Sequence, residues 1–285
     1  MQGGLAKASR GYSPGAQYES LDWQLRIPYQ LTEQRERPRA SARRWWWTAV
    51  ERRIRPVEDL ASVRARNLPE FDQLVTAIRD LGTDSMQMFG DDYGFEGGLR
   101  LQQRTNELAA LLLYLGERRP RGAYLEIGTA SGGTTRLIQT HLRSEQVLSL
   151  DDGHHPDAQL QAANLSAIPN VTRYIGDSHA SAARDFIVSN LSLPLGVAFI
   201  DGDHSYDGVL EDTRLVLSVA QPGTLLVYHD IIARPGVRHH WRKGAATGLF
   251  APIAHFVDDR PGALGIGVAE VRAGLRLRTA LHNLI

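Results

Sequence analysis

Residues 124–133 have the sequence Tyr124-Leu125-Glu126-Ile127-Gly128-Thr129-Ala130-Ser131-Gly132-Gly133, a short apolar run that ends in a turn rich in glycine. Apolar residues follow with helical spacing at Leu137, Ile138 and Leu142, so the segment predicts a strand, a tight turn and a helix. Glycine in such a turn lets the backbone approach a ligand closely. We therefore expect a ligand-binding turn here; the alternative is an ordinary tight turn in an α/β protein that binds no nucleotide.

The glycine spacing separates this turn from two common nucleotide-binding motifs. It follows the pattern E-x-G-x-x-x-G-G, whereas dinucleotide sites use G-x-G-x-x-G and phosphate loops end in a lysine that is missing here. The segment instead resembles the first motif of class I S-adenosylmethionine-dependent methyltransferases. That resemblance implies a turn that wraps the methionine part of the cofactor. The residues that it assigns to cofactor binding in this segment are Glu126, Gly128, Thr129, Ser131 and Gly132.

Composition limits the classes of protein to consider. Lys and Arg together number 32 of the 285 residues, and Asp and Glu together also number 32. No bulk charge therefore favours binding to nucleic acid or to a membrane surface. Cysteine is absent, which excludes disulfides, thiolate metal sites and cysteine nucleophiles. No apolar run has the length of a membrane span and the N-terminus lacks a signal-peptide pattern, so we expect a soluble cytoplasmic protein.

The N-terminal third differs in character from the rest of the chain. Residues 1–55 carry more Lys and Arg than Asp and Glu and include Trp45–Trp47. They form either a basic, aromatic surface for a phosphate-bearing or membrane-associated partner or, as we favour, an arm that packs its tryptophans on the domain or on a second subunit. Residues 57–82 predict a helix, and residues 83–98 have the apolar, glycine-rich composition of a lid. We predict that residues 1–98 form an appendage that supports a homo-oligomer and covers the site.

From residue 99 onwards, strand and helix patterns alternate. This alternation predicts an α/β fold, a parallel sheet with helices on both faces, and a tight turn near the end makes the last strand antiparallel. Together with the resemblance it predicts a Rossmann-like, seven-stranded methyltransferase domain over residues 99–285. The predicted strands after the first one are 146–150, 171–175, 196–200, 224–228, 253–257 and 264–271.

The predicted parallel strands end in carboxylates, which should meet at one edge of the sheet. Asp151 and Asp152 follow the second strand about 25 residues after Glu126, where a carboxylate can accept both ribose hydroxyls. Asp151 lies directly at the strand end and is our choice. Asp177 resembles the family residue that accepts from the adenine amino group; its alternative is a helix cap, a role for which Ser178 competes.

The most specific resemblance lies in residues 199–208 and 221–231. They are similar to a branch of small-molecule O-methyltransferases that includes macrolide-sugar and rhamnose methyltransferases and a cephalosporin-biosynthesis enzyme. The resemblance implies a divalent cation, typically magnesium, held by Asp201, His229 and Asp230. His229 departs from the pattern, because relatives more often have a carboxylate there. Since imidazole suits manganese, iron or zinc better, His229 is a non-ligand, a ligand of a softer metal, or a sign that no metal binds.

His204 is the candidate general base, by its ordinary pKa near neutrality and by the resemblance. Its alternative is a simple pair with Asp203 or Asp207. Asp201 counts among the catalytic and cofactor-binding residues as well as the metal ligands. The predicted function is transfer of a methyl group to a hydroxyl of a small molecule, such as a sugar or glycosylated natural product. The alternatives are a Rossmann-type oxidoreductase, whose motifs are missing, and a non-catalytic cofactor-binding scaffold.

Overall fold

The structure, a computed structural model, describes residues 57–81 and 99–273. The predicted basic arm at 1–55 and the predicted lid at 83–98 lie outside the described residues. No helix within the described ranges has both the length and the apolar character that crossing a membrane requires.

The described chain is built on one sheet of eight strands. In chain order these strands are β1 Glu58–Asp59, β2 Ala123–Ile127, β3 Val147–Asp151, β4 Val171–Ile175, β5 Leu195–Ile200, β6 Leu225–Tyr228, β7 Ala251–Phe256 and β8 Ile266–Glu270. Their order across the sheet is β1-β7-β8-β6-β5-β2-β3-β4. Strand β8 runs antiparallel to both of its neighbours, and all other pairs are parallel. The α/β architecture and the antiparallel last strand are as the sequence predicts.

The sheet has one strand more than the seven predicted. Glu58 and Asp59 pair in parallel with Ala254 and His255 at the edge of the sheet. A two-residue strand carries no periodic signal, so sequence patterns do not detect it. The described part of the predicted appendage thus adds a strand to the sheet.

Eight helices flank the sheet in the described ranges. They are α1 Leu60–Arg66, α2 Leu68–Asp80, α3 Thr105–Arg118, α4 Gly133–Leu142, α5 Gln161–Ser166, α6 Ser181–Asn190, α7 Tyr206–Leu217 and α8 Pro235–Thr247, with a 3₁₀ turn at Pro156–Leu160. The helix predicted over 57–82 is interrupted at Asn67, whose backbone N–H donates to the Arg64 carbonyl. The next helix, α2, has Pro69 in its first turn. Proline suits that position because the first N–H groups of a helix lack intrahelical acceptors.

The core lies on both faces of the sheet. Successive strand residues point to opposite faces, so Tyr124 packs with α3 and α4 while Leu125 packs with α6 and α7. Both residues are fully buried. Burial on two faces accounts for the nearly continuous apolar runs of the central strands.

The apolar spacing from Leu101 to Leu115 predicts a helix that begins at Leu101, but α3 begins four residues later, at Thr105. The preceding segment, residues 99–104, has left-handed backbone at Arg100 (φ 53°) and Gln102 (φ 50°), which a right-handed helix cannot contain. We call residues 99–104 the strap. Its carbonyl groups accept hydrogen bonds from Ser131 of the glycine turn, residues 128–133, and from Thr134 in the first turn of α4, so the strap lies against the turn and the start of α4.

Candidate functional site

The glycine turn brings the ends of β2 and β5 into close contact. Gly128 has φ +84°, and a Cβ placed there would lie 2.0 Å from the carbonyl oxygen of Asp201. A Cβ on Gly133 would lie 2.1 Å from the Leu99 carbonyl oxygen of the strap. Glycine is therefore required at both positions by backbone packing. The strand order reverses between β2 and β5, and such a switch point is where open α/β sheets bind ligands.

Thr129, Ser131 and Gly132, which are also predicted to bind the cofactor, lie against other parts of the protein. The Thr129 hydroxyl lies 2.8 Å from the Ser149 hydroxyl on β3. The Ser131 hydroxyl lies 2.8 Å from the Leu99 carbonyl, to which it donates. Gly132 has φ +76°, and a Cβ there would lie 3.0 Å from the Leu165 side chain. These contacts fix the shape of the turn, so the groups left to face a ligand are mainly backbone groups.

Asp151 supports the turn as well as ending β3. Its two carboxylate oxygens accept from the backbone N–H groups of Ala130 and Gly153, each at 2.7 Å. A carboxylate offers about four acceptor positions, so hydroxyl groups of a ribose still find acceptors on it. Asp152 is more exposed and pairs with His154 at 3.1 Å.

Glu126 is anchored inside the protein. It is 1% exposed, and its Oε2 accepts from the Tyr124 hydroxyl at 2.6 Å and from the Thr135 hydroxyl at 2.5 Å. Burial raises the pKa of Glu126 to about 8, although the two hydrogen bonds act in the opposite direction. The neighbouring carboxylates of Asp201 and Asp151 add to the increase.

The loop after β4 rests on a buried carboxylate that the sequence patterns did not single out. The exposed Asp177 accepts from the backbone N–H of His179 at 2.8 Å, as a capping residue does. The Ser178 hydroxyl donates to Asp212 Oδ1 at 2.7 Å, and His179 Nε2 lies 3.2 Å from the same oxygen. Burial raises the pKa of Asp212, which lies on the buried face of α7 beside Val209. Its position on that apolar face is a signal that sequence analysis could have used.

Four predicted residues meet at the ends of β5 and β6. We call Asp201, His204, His229 and Asp230 the Asp–His cluster. Asp201 Oδ1 lies 3.1 Å from His229 Nδ1 and 3.2 Å from His204 Nε2. His204 Nε2 also lies 3.2 Å from Asp230 Oδ2. The convergence of these residues, expected from strand ends alone, is present in the structure.

His229 and Asp230 approach the same carboxylate although they are consecutive in the chain. Consecutive residues within a strand point to opposite faces. Strand β6 ends at Tyr228, however, and Asp230 has left-handed backbone with φ 61°. This turn of the backbone brings both side chains to one side of the sheet edge.

The charges of the cluster are mutually stabilising. Burial lowers the pKa of His229, but the carboxylates of Asp201 and Asp230 outweigh it and the net pKa is raised to about 9. The same carboxylates outweigh burial at His204, whose pKa is also raised. Burial raises the pKa of Asp201, but the two imidazoles outweigh it and hold this pKa well below its usual range. The carboxylates thus increase the proton affinity of both imidazoles.

The cluster also offers the donor set of a cation site. One ligand atom each from Asp201, His229 and Asp230 lie within 4.8 Å of one another. Asp230 Oδ1 and His229 Nε2 are buried and have no hydrogen-bond partner in the described part of the chain. Two carboxylates and one imidazole fit a divalent cation, and the imidazole favours manganese, iron or zinc over magnesium.

Two further polar residues near the site come from the segment around the start of α3. Gln103 of the strap is 1% exposed, and its Nε2 lies 3.4 Å from Asp201 Oδ2. Glu107 accepts from the backbone N–H groups of Asp258 and Gly265, at 2.9 and 2.8 Å, and its charge helps to raise the pKa of His229. Neither residue follows a strand, so a search for strand-end residues does not find them.

The sheet order, the antiparallel β8, the glycine turn after β2 and the acidic ends of β5 and β6 agree with the resemblance to class I S-adenosylmethionine-dependent methyltransferases. Residues 125–231 match the methyltransferase domain family, which places the turn and the cluster within the matched segment.

Two solved structures have this fold. The O-methyltransferase TomG from Streptomyces achromogenes, involved in tomaymycin synthesis and solved with S-adenosylmethionine, is 18% identical with a TM-score of 0.50, over 61% of this chain and 83% of its own. An O-methyltransferase from Bacillus cereus, solved with S-adenosylhomocysteine, is also 18% identical with a TM-score of 0.50, over 73% of this chain and 91% of its own. At this identity the likeness shows the fold.

One curated protein is related in sequence. Uncharacterized protein R132 of Acanthamoeba polyphaga mimivirus is 24% identical over 115 residues, which is 38% of this chain. The chain spans about half the length (50%) of this curated relative. Activity, substrate and partners of the whole protein are therefore matters for proposal.

Proposed function

We propose that this protein transfers the methyl group of S-adenosylmethionine to a hydroxyl of a small molecule, such as a sugar or glycosylated natural product, with the help of a divalent cation. The observation that carries the proposal is the contact between the glycine turn and the Asp–His cluster. Gly128 packs directly on the backbone of Asp201, so a cofactor held by the turn lies next to the cluster.

The proposed cofactor site runs along the ends of β2, β3, β4 and β5. The cofactor supplies an electrophilic methyl group on a positively charged sulfur. The backbone of the glycine turn and the buried Glu126 face its methionine part, whereas Asp151 and Asp152 accept from the ribose. Asp177 and Ser178 border the adenine. The residues that complete the proposed site are Gly128, Thr129, Ser131, Gly132 and Asp201.

His204 is the proposed general base. Its Nε2 faces two carboxylate oxygens, which only accept hydrogen bonds, so Nε2 carries the hydrogen and Nδ1 is left to accept a proton. The carboxylates of Asp201 and Asp230 fix the orientation of the ring and stabilise the imidazolium that forms. The His204 side chain is 37% exposed, the most accessible of the four residues, as a group that meets a substrate requires.

Asp201, His229 and Asp230 are the residues that would hold the cation. A cation there would supply positive charge that lowers the pKa of an acceptor hydroxyl. The buried and unpartnered Asp230 Oδ1 supports this assignment, because such atoms in folded proteins usually have a partner. A homo-oligomer in which residues 1–98 contribute to the substrate cover belongs to the same proposal.

Cofactor binding and turnover test the proposal together. Calorimetric titration of the full chain with S-adenosylhomocysteine and, separately, with NAD should show binding of the first only. Labelled S-adenosylmethionine, offered with a panel of hydroxylated sugars and glycosides, should label at least one acceptor when a divalent cation is present. Binding of NAD without S-adenosylhomocysteine would overturn the proposal in favour of an oxidoreductase.

A further inference from the structure

Gln103 is a buried polar residue that has no role in the proposed methyl transfer. It is 1% exposed and belongs to the strap, which is fastened to the glycine turn by hydrogen bonds from Ser131 to the Leu99 carbonyl and from Thr134 to the Leu101 carbonyl. The strap therefore fixes the Gln103 backbone beside the turn. From there the side chain extends to the carboxylate of Asp201.

The chemistry of Asp201 determines which end of the amide faces it. Asp201 Oδ1 lies 3.1 Å from His229 Nδ1 and 3.2 Å from His204 Nε2, and the Gln103 amide approaches the other oxygen, Oδ2, as a hydrogen-bond donor. The amide nitrogen of Gln103, 3.4 Å from Oδ2, must then point at the carboxylate and the amide oxygen away from it. That oxygen, Oε1, is buried and has no hydrogen-bond partner among the described residues.

An unpartnered buried amide oxygen needs a donor. Leaving it without one is unfavourable, and native proteins retain few such atoms. Both amide atoms are bonded to one carbon, so Oε1 lies within about 6 Å of Asp201 Oδ2. A donor to Oε1 would therefore have to come from outside the described residues.

We infer that Gln103 binds the α-ammonium group of the cofactor through Oε1 while its Nε2 orients Asp201. The inference rests on the proposed function and adds a residue to its cofactor site. An ammonium group brings three N–H donors and a positive charge, which suit a neutral oxygen beside an anionic carboxylate. The two imidazoles face Oδ1 of Asp201, whereas Gln103 faces Oδ2, so Gln103 and the imidazoles lie against different oxygens of this carboxylate.

Paired probes with and without the ammonium group test the inference. The full chain and its Gln103→Met variant, which keeps the side-chain volume, are titrated with S-adenosylhomocysteine and with its analogue that lacks the amino group. We expect affinity for S-adenosylhomocysteine to fall by roughly 10- to 100-fold, the value of a hydrogen bond to a charged group. Affinity for the deaminated analogue should change by less than about twofold.

Controls separate this result from a loss of structure or of metal binding. Gln139→Met is the matched variant, because Gln139 is also buried but accepts from Ser144 at the far end of α4. Thermal unfolding checks that both variants fold, and Gln103→Asn, which withdraws the amide, replaces the methionine variant if that one does not. Titration with Mn²⁺ alone should give the same affinity in Gln139→Met as in the unsubstituted protein.

Three results would overturn the inference while leaving the proposed function in place. They are an unchanged affinity for S-adenosylhomocysteine, an equal loss for both probes, and a loss of Mn²⁺ affinity without a loss of S-adenosylhomocysteine affinity. Failure of the unsubstituted protein to bind S-adenosylhomocysteine would instead overturn the proposed function itself.

Discussion

Gly128 is required by the packing of the fold as well as by the proposed cofactor site. From the motif alone a larger side chain there would be expected to block the cofactor and leave the domain folded. In the structure its Cβ would overlap the carbonyl oxygen of Asp201, at 2.0 Å, and φ +84° disfavours any other residue. Substitution therefore strains the junction of β2 and β5 before a ligand is considered.

Gly128→Ala should destabilise the protein by at least about 2 kcal/mol, from left-handed backbone strain and overpacking together. Gly116→Ala is the control, because a Cβ there meets nothing within 4 Å and the residue lies inside α3. That change should stabilise the protein by about 0.5–1 kcal/mol. Urea unfolding measures both, and equal stability of the two variants would contradict this account of the turn.

Glu126 should make stability depend on pH. Its pKa is raised from 4.5 to about 8 in the folded protein, mainly by burial, so the folded state holds a proton that the unfolded state releases. The contribution of this carboxyl to the free energy of unfolding therefore falls as pH rises from about 5 to about 8. Glu126→Gln should remove that part of the pH dependence. A variant with the same slope as the unsubstituted protein in urea unfolding across this range would show that the carboxyl ionises normally.

His204→Ala should lower the methyl-transfer rate by on the order of 10²–10⁴-fold, the usual contribution of a general base. Affinity for S-adenosylhomocysteine should stay close to that of the unsubstituted protein, because the ring faces the two carboxylates and not the turn. His141→Ala, at the exposed end of α4, is the matched control and should retain full activity. Steady-state kinetics decide the point, and a loss below about threefold would exclude His204 as the base.

Among the elements, α3 holds the β7–β8 connection in place. Glu107 on α3 accepts from two backbone N–H groups of that connection, one on each carboxylate oxygen. Glu107→Gln keeps the size but leaves one N–H facing an amide nitrogen, which should cost about 1–3 kcal/mol. Glu117→Gln on the same helix removes a half-exposed contact with Arg66 and should cost less than about 1 kcal/mol. Chemical denaturation compares them, and a larger loss for Glu117→Gln would reverse this ranking.

Elements with a strong pattern were predictable, and short irregular ones were not. The seven longer strands lie within two residues of their predicted positions because each is a short run rich in apolar residues, and β2 to β5 end at or directly before Gly or Asp. Strand β1 has two residues and no period, and the strap is set by backbone conformations at Arg100 and Gln102 that residue types do not reveal. Strand-end carboxylates were predictable for the same reason as the strands. Gln103 and Glu107 were not, since they come from other elements and depend on three-dimensional packing, whereas the apolar face of α7 was a signal for Asp212.

For the molecule as a whole, the proposed cation would lie beside the cofactor and act on the acceptor hydroxyl. Asp201→Asn and Asp230→Asn should each weaken Mn²⁺ binding by at least roughly 10-fold, since each removes a charged ligand. Asp207→Asn, an exposed residue in the first turn of α7, is the matched control and should bind Mn²⁺ as the unsubstituted protein does. Calorimetry on metal-stripped protein gives these affinities. Unchanged Mn²⁺ binding in both cluster variants would remove the cation from the mechanism.

The proposed function is defined by the atom that receives the methyl group. The decisive measurement is therefore the position of the label after the full chain, supplied with Mn²⁺, has reacted S-adenosylmethionine bearing an isotopically labelled methyl group with the acceptor panel. Nuclear magnetic resonance of the product should place the label on a hydroxyl oxygen, with one S-adenosylhomocysteine formed per methyl group transferred. A label on nitrogen or carbon, or no transfer to any hydroxylated acceptor by protein that binds both S-adenosylmethionine and Mn²⁺, would contradict the account.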